Sequence, residues 1–382
     1  MSKRFDIVGS FLRPERLLAF KREIESRDDI TYPFYRDLPG YKAMETKAIE
    51  QVINKQIDLG LPVISDGEFS KSLWHLDFVW GLGGVRRYIS DKGYVFRDHE
   101  AGCGFETRKD VGIEVTEPLS GKGHNQIKVY QLIQMFAGDH PIKQCIPSPA
   151  HIYGEFLWSP YITAEQVYAD HEALKAGLLN AYKEFIEEFV QVGGKIIQLD
   201  DCLWEVFAAD NEASPFAGKN PADGLSVAHE FIALNNEVIA FAKGLGLTVW
   251  THNCRGNYKS RSMSDGTYES IAELFLKSQN YDRFYLEWDD DRAGSLKALE
   301  VFKNRDVEVV LGLLSSKTGE ADDEERALAL LSEAAQILPK ERLLLSHQCG
   351  FASCDNGNEL TEAQQWEKIK QGQAIALKFW NE

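Results

Sequence analysis

Short apolar runs that end in polar residues alternate with longer amphipathic stretches along nearly the whole chain. Eight runs stand out: Asp6–Ser10, Leu61–Glu68, Ile142–Pro147, Lys195–Asp201, Thr248–Asn253, Arg283–Trp288, Val307–Leu313 and Arg342–His347. Near-continuous apolar runs of this length suit parallel strands buried on both faces. The stretches between them carry helical periodicity: Tyr41–Leu59, Thr163–Val192, Val227–Lys243, Ser264–Gln279, Gly294–Lys303, Asp323–Ile337 and Thr361–Phe379. The second of these opens on TAEQ, a capping sequence, and closes at Gly193-Gly194. Strand then helix, repeated eight times, predicts an α/β fold of the (β/α)8 TIM-barrel type.

Two segments break the rhythm. Residues 11–40 separate the first run from its helix, and residues 69–141 put far more than one helix between the second and third runs. The latter segment predicts a β-rich hairpin excursion, a lid or partner surface, inserted into one barrel spanning 1–382. Trp74, Trp80 and Tyr94 read as exposed aromatics on it, with a homodimer as the partner.

Composition narrows the class. At 382 residues, 44% hydrophobic and 26% charged, the chain can bury a large core and is not disordered. A net charge of -17 without a Lys/Arg stripe excludes a nucleic-acid surface. No stretch approaches the ~20 apolar residues of a spanning helix, and the opening MSKRFDIVGSF lacks the apolar core of a signal peptide. Six cysteines are too few for a disulfide framework, so a reducing, cytoplasmic setting is expected.

In a TIM barrel the reactive groups gather at the C-terminal ends of the strands. Ser10, Asp66, Glu68, Asp200, Asp201, His252, Cys254, Glu287, His347 and Cys349 all fall at or just past the ends of the apolar runs. His252 and Cys254 alternate, so both can face one side of an extended segment. A His and a Cys two apart are more often structural than metal-binding. Joined to Glu287 and Cys349 they form a set zinc accepts, while soft thiolates argue against magnesium or calcium. Two thiolates and a carboxylate make an electron-rich shell, which suits activation of a thiol rather than of water.

These residues form a pattern that resembles cobalamin-independent methionine synthase, in its C-terminal catalytic barrel and its short single-barrel relatives. The matching pieces are VGSF at Val8–Phe11, DGE at Asp66–Glu68, QLDD at Gln198–Asp201, THNC at Thr251–Cys254, Glu287, and Cys349-Gly350. The resemblance implies zinc on His252, Cys254, Glu287 and Cys349. It also implies a homocysteine-like thiol held by Ser10, Glu68, Asp200 and Asp201, with Glu68 and Asp200 serving catalysis. The implied activity is methyl transfer to that thiol from a second small molecule, in the manner of a 5-methyltetrahydropteroyltriglutamate–homocysteine methyltransferase.

The donor side departs from that pattern. The family reads QxDEP where this chain has Asp200-Asp201-Cys202. The proton-donating histidine of folate-using members has no counterpart in Leu314-Ser315-Ser316-Lys317, and no folate-stacking aromatic lies in Ser148–His151. Lys317, His151, Tyr153 and Trp158 are the candidates for a different donor. Two other readings stand beside this one: a uroporphyrinogen-decarboxylase-like lyase using Arg13, Arg255 and Arg292, and a zinc- or thiol-binding protein without turnover.

Overall fold

Six of the eight apolar runs form one parallel sheet, in the order Lys143–Pro147, Ile196–Asp200, Thr248–Asn253, Arg283–Glu287, Glu308–Leu314, Leu343–His347. The computed structural model describes residues 2–98, 103–208, 221–263 and 266–382. The other two runs lie along the sheet's opposite edges as single parallel bridges, Phe5 with Leu345 and Ile64 with Ile142. They also meet each other: the Phe11 N–H donates to the Gly67 carbonyl at 3.0 Å, and Ser65 Oγ to the Gly9 carbonyl at 2.6 Å.

Side chains alternate across the sheet, so each strand feeds two cores. Ile197, Leu199, Val249, Phe284, Leu286, Val309 and Leu311 pack outward among the helices. On the other face, Val8, Val63, Trp250, Tyr285, Val310 and Leu344 form a separate buried cluster. Lys143 joins that inner layer, donating to the Ile7 carbonyl and to Gln198 Oε1 at 2.9 Å, so its buried ammonium is satisfied.

The helices follow the periodic stretches with adjustments. Glu362–Trp380 starts at a Thr361/Gln364 capping box, as the sequence there requires. The helix expected from Thr163 begins instead at His171, with Asp170 accepting from the Ala173 N–H at 2.8 Å. Thr163 belongs to a short strand, Ile162–Thr163. Gly294–Lys303 yields a 3-10 helix over Leu296–Phe302. In the stretch Ser264–Gln279, a helical turn Tyr268–Ile271 runs into a π-turn Ala272–Leu276, and 264–265 lie outside the described residues. Residues 11–40 contain a helix, Glu15–Ser26, that the periodicity did not single out.

The described residues of 69–141 form two helices, Leu76–Trp80 and Asn125–Ala137, and four strands. Gly83–Tyr88 pairs antiparallel with Gly112–Ser120, and Val95–Asp98 with Cys103–Glu106. This segment is bolted down by buried ion pairs. Arg108 reaches both Asp110 and Asp355, and Arg87 donates to Asp110 Oδ2 at 2.8 Å. Trp80, expected on the surface, is buried against Phe34 and Arg87 because its helix packs inward. No helix among the described residues is long and apolar enough to cross a membrane.

Candidate active site

His252 and Glu287 lie at the ends of neighbouring strands, and Cys254 and Cys349 follow strand ends within two residues. One donor atom from each of the four lies within 4.8 Å of the others. The Cys254 and Cys349 sulfurs are 3.9 Å apart, and His252 Nε2 is 3.2 Å from Glu287 Oε1. A tetrahedral ion with ~2.3 Å bonds to sulfur and ~2.0–2.1 Å to nitrogen and oxygen spaces its sulfurs ~3.8 Å apart, and its nitrogen and oxygen ~3.4 Å. Donor set and spacing therefore fit zinc.

The surroundings hold these groups in place. Glu287 Oε2 accepts from the Arg255 N–H at 3.1 Å, and Cys254 Sγ from the Gly256 N–H at 3.3 Å. The Tyr268 hydroxyl accepts from the Glu287 N–H at 2.9 Å and donates to the Asn253 carbonyl at 2.8 Å, tying two strand ends together. Burial works against charge on His252, but Cys349, Glu287 and Asp200 outweigh it and raise its imidazole to about 9. The hydrogen bond between the cysteines pushes the Cys254 thiol up and pulls Cys349 down.

Next to this cluster lie the groups expected to recognise an amino acid. Glu68 has φ 59 and Gly67 φ 66, so consecutive residues occupy the left-handed region, a strain kept where function needs it. Asp66 Oδ1 secures the turn by accepting from the Glu68 N–H at 2.9 Å. Lys71 Nζ reaches Glu68 Oε1 at 3.0 Å and the Cys145 carbonyl at 2.7 Å. Burial opposes the Lys71 charge, but Glu68 and Asp66 hold the ammonium protonated. Burial pushes Asp200 up to about 6, opposed by His252 and reinforced by Glu68. Ser10 Oγ accepts from the Ala352 N–H at 3.2 Å, and a Cβ at Gly350 would stand 1.9 Å from that oxygen. Glycine after Cys349 is therefore a requirement of packing against Ser10.

Ser10, Glu68, Asp200, His252, Cys254 and Cys349 open into one cavity of about 710 Å³, solvent at its mouth included. Trp74, His75, Tyr94 and Phe96, all from 69–141, also line it. Trp74 and Tyr94 thus face the cavity, where a partner surface was expected.

Other sequence-derived candidates go elsewhere. Asp201 does not line the cavity: its Oδ2 accepts from Ser148 Oγ at 2.8 Å and its Oδ1 from the Leu203 N–H at 2.9 Å, which fixes a loop. His347 is buried between Phe5 and Phe351, and burial pulls it down to about 3. Tyr153 bonds Glu230, Trp158 packs on Phe231, and Lys317 pairs with Asp289. Nor do the three arginines of the lyase reading line the cavity. Arg13 spends its guanidinium on the carbonyls of Glu68, Lys71, Ala352 and Cys354. Arg255 donates to the carbonyls of Gly266 and Arg292, and Arg292 pairs with Asp290.

Two proteins of Bacillus subtilis (strain 168) align with nearly all of the chain. YxjH is 34% identical over 379 residues, covering 99% of this chain and 94% of its own. YxjG is 32% identical over the same shares. The chain belongs to their family. No family model matches it. Among solved structures, a Listeria monocytogenes protein named as a candidate vitamin-B12 independent methionine synthase is 29% identical, with a TM-score of 0.70. That alignment covers 99% of this chain and 98% of the other. A B12-independent methionine synthase from Shewanella sp. W3-18-1, in complex with selenomethionine, shares the fold at 18% identity and a TM-score of 0.71, covering 100% and 98%. A methyltransferase from Methanosarcina mazei shares it more loosely, at 14% identity and 0.52.

In this member of the YxjH and YxjG family, the structure adds residues the sequence did not flag. Lys71 pairs with Glu68. Lys71 is three residues beyond Glu68, a spacing that marks a pair once a turn is known to follow DGE. His75 and Glu155 converge on His151 beside Trp74. His151 and Glu155 are four apart on the helix Pro149–Trp158, a legible signal once that helix is seen.

Proposed function

We propose that this protein is a zinc-dependent S-methyltransferase that methylates homocysteine or a similar small amino-acid thiol. The observation that carries this reading is the convergence of four metal donors, three of which line one cavity with Ser10, Glu68 and Asp200. The eight runs close into a barrel over 1–382, with 69–141 an insertion that walls its mouth; the inner core drawn from both edge segments supports that closure. The likeness to the Listeria protein supports the same class of reaction.

His252, Cys254, Glu287 and Cys349 would hold the metal. Bound there, zinc supplies the Lewis acidity that brings a thiol, ordinarily near ~8.5, into its thiolate form at neutral pH. Glu68 and Asp200 supply carboxylates for the substrate ammonium, and the Lys71 pair keeps Glu68 aimed. Ser10 and the backbone around Gly350 offer donors to the substrate carboxylate. The thiol proton passes to solvent at the cavity mouth before transfer; the sulfur then forms its bond to the methyl carbon as the donor's bond to that carbon breaks, its electron pair leaving with the donor. Orientation in a walled cavity is the protein's main contribution.

Cys145, Cys202, Cys254, Cys349 and Cys354 are free thiols, in keeping with a reducing, cytoplasmic setting. The Trp74, His75 and Tyr94 wall, rather than the folate pattern, receives the donor. The test is methionine formation from homocysteine with methyl donors of several classes, before and after chelation. Turnover with one donor that chelation abolishes and zinc restores is expected. Absence of methyl transfer from every donor overturns the reading.

A further inference from the structure

Besides the four-donor cluster and the group of Glu68, Cys145 and Asp200 near it, the described residues hold a further group of metal-ligand type, with both its histidines buried. His75 directly precedes the helix Leu76–Trp80, while His151 and Glu155 stand one turn apart on the same face of Pro149–Trp158. Glu155 Oε1 lies 3.6 Å from His75 Nε2 and 3.7 Å from His151 Nε2. All three donor atoms fall within 4.8 Å of one another. These separations exceed a hydrogen bond yet approach the ~3–3.6 Å between donors that sit ~2.0–2.2 Å from one ion. His151 is 2% exposed, and its Nε2, aimed into this group, has no hydrogen-bond partner. A buried polar atom left unpaired is costly, so that nitrogen points to a ligand.

The surroundings are those of a metal site. The Tyr94 hydroxyl donates to Glu155 Oε2 at 2.8 Å, which fixes the carboxylate and leaves Oε1 for the centre. His151 Nδ1 meets Cys202 Sγ at 3.7 Å, which fixes the ring and leaves Nε2 for the centre, with Asp201 Oδ1 4.0 Å away. Trp74 closes one side, its ring centroid 4.6 Å from that of His151 and 4.9 Å from that of His75. Burial keeps both imidazoles neutral, His75 down to about 3, which is the form that binds metal. Burial also pushes the Glu155 carboxyl up to about 7, a cost that a cation beside it would relieve.

We propose that His75, His151 and Glu155 bind a second divalent transition-metal ion. Two imidazoles and one carboxylate, with no thiolate, suit manganese, iron(II), cobalt(II) or zinc. Three protein donors leave coordination positions free, and His75 faces the cavity that Cys254 and Cys349 also line. The ion would therefore meet a molecule that fills that cavity. The site stands on its own geometry and does not depend on the methyl-transfer reading.

The test is equilibrium dialysis of the purified full-length protein against excess cobalt(II), with metal counted per chain. Two equivalents are expected for the unaltered protein. Glu155→Gln and His75→Gln each lower the count to one while keeping the thiolate-to-cobalt charge-transfer band of the cysteine cluster. Cys254→Ser removes that band and keeps the other equivalent. Unchanged thermal melting shows that each variant is folded. A single equivalent that Cys254→Ser removes, or a second that survives both Glu155→Gln and His75→Gln, overturns the proposal. One equivalent lost in Glu155→Gln but not in Cys254→Ser supports it, and instead sinks the zinc assignment at the cysteines.

Discussion

The cavity has two unlike walls. On one, His252, Cys254 and Cys349, with Glu287 beside them, stand on or just past the ends of parallel strands, where the sheet itself sets their separation. On the other, Trp74, His75 and Tyr94 come from the segment between the second and third apolar runs, and His151 from a helix packed behind them. The first wall is ordered by ladder hydrogen bonds, the second by side-chain packing and buried ion pairs around Arg108. A ladder fixes donor positions within tenths of an ångström, as metal binding demands. A packed insertion can change its side chains without disturbing the sheet. On the proposed reading, activation of the thiol belongs to the strand ends and choice of the second reactant to the insertion.

Experiments can break that division, the largest effect first. Cys349→Ser removes one of two sulfur donors; metal analysis should find the cysteine-cluster equivalent lost and methyl transfer at background. Next comes Asp110→Asn, which leaves Arg108 and Arg87 buried beside a neutral side chain; loss of one partner from a buried pair costs about 3–5 kcal/mol. Denaturant unfolding measures it. Burial opposes the Asp110 charge, but Arg108 and Arg87 outweigh it and hold the carboxyl below its usual range. A depressed acid stabilises the fold above its unfolded value, ~3.9, and loses that contribution as pH falls through its folded value. The gap between unaltered protein and Asp110→Asn should thus be full at neutral pH and shrink below about pH 4.

Tyr268→Phe acts on the strand-end wall alone. It removes the hydroxyl linking Glu287 to Asn253, and metal affinity should fall ~10–100-fold, read by competition with a chelating dye. Smallest is Tyr94→Phe, which deletes the hydrogen bond to Glu155, worth about 1 kcal/mol. Its effect should appear as a few-fold change in KM for the methyl donor, with KM for the thiol unchanged. Equal effects on both would erase the division between the walls.

What could be read from the sequence follows the same line. Strand ends are legible because apolar runs announce the strands and the residue after each run is placed by the sheet. Hence Ser10, Glu68, Asp200, His252, Cys254, Glu287 and Cys349 were all expected at one mouth, and their donor atoms are close neighbours in space. Asp201 shows the limit: adjacent residues on a strand face opposite ways, so its neighbour takes the cavity and it takes Ser148. Insertion residues carry no such rule. Trp80 and Trp74 look alike in sequence, yet one is buried under a helix and the other lines the cavity, a choice made by tertiary packing. Arg13, a substrate candidate only in the lyase reading, holds loops instead, because its carbonyl partners come from residues up to 341 positions away.

The most direct measurement is zinc-edge X-ray absorption on the purified protein, alone and with homocysteine. Two sulfur neighbours at about 2.3 Å, from Cys254 and Cys349, should be joined by a third when the thiol is added. A zinc shell of nitrogen and oxygen only, or a sulfur count that homocysteine leaves unchanged, would contradict the account.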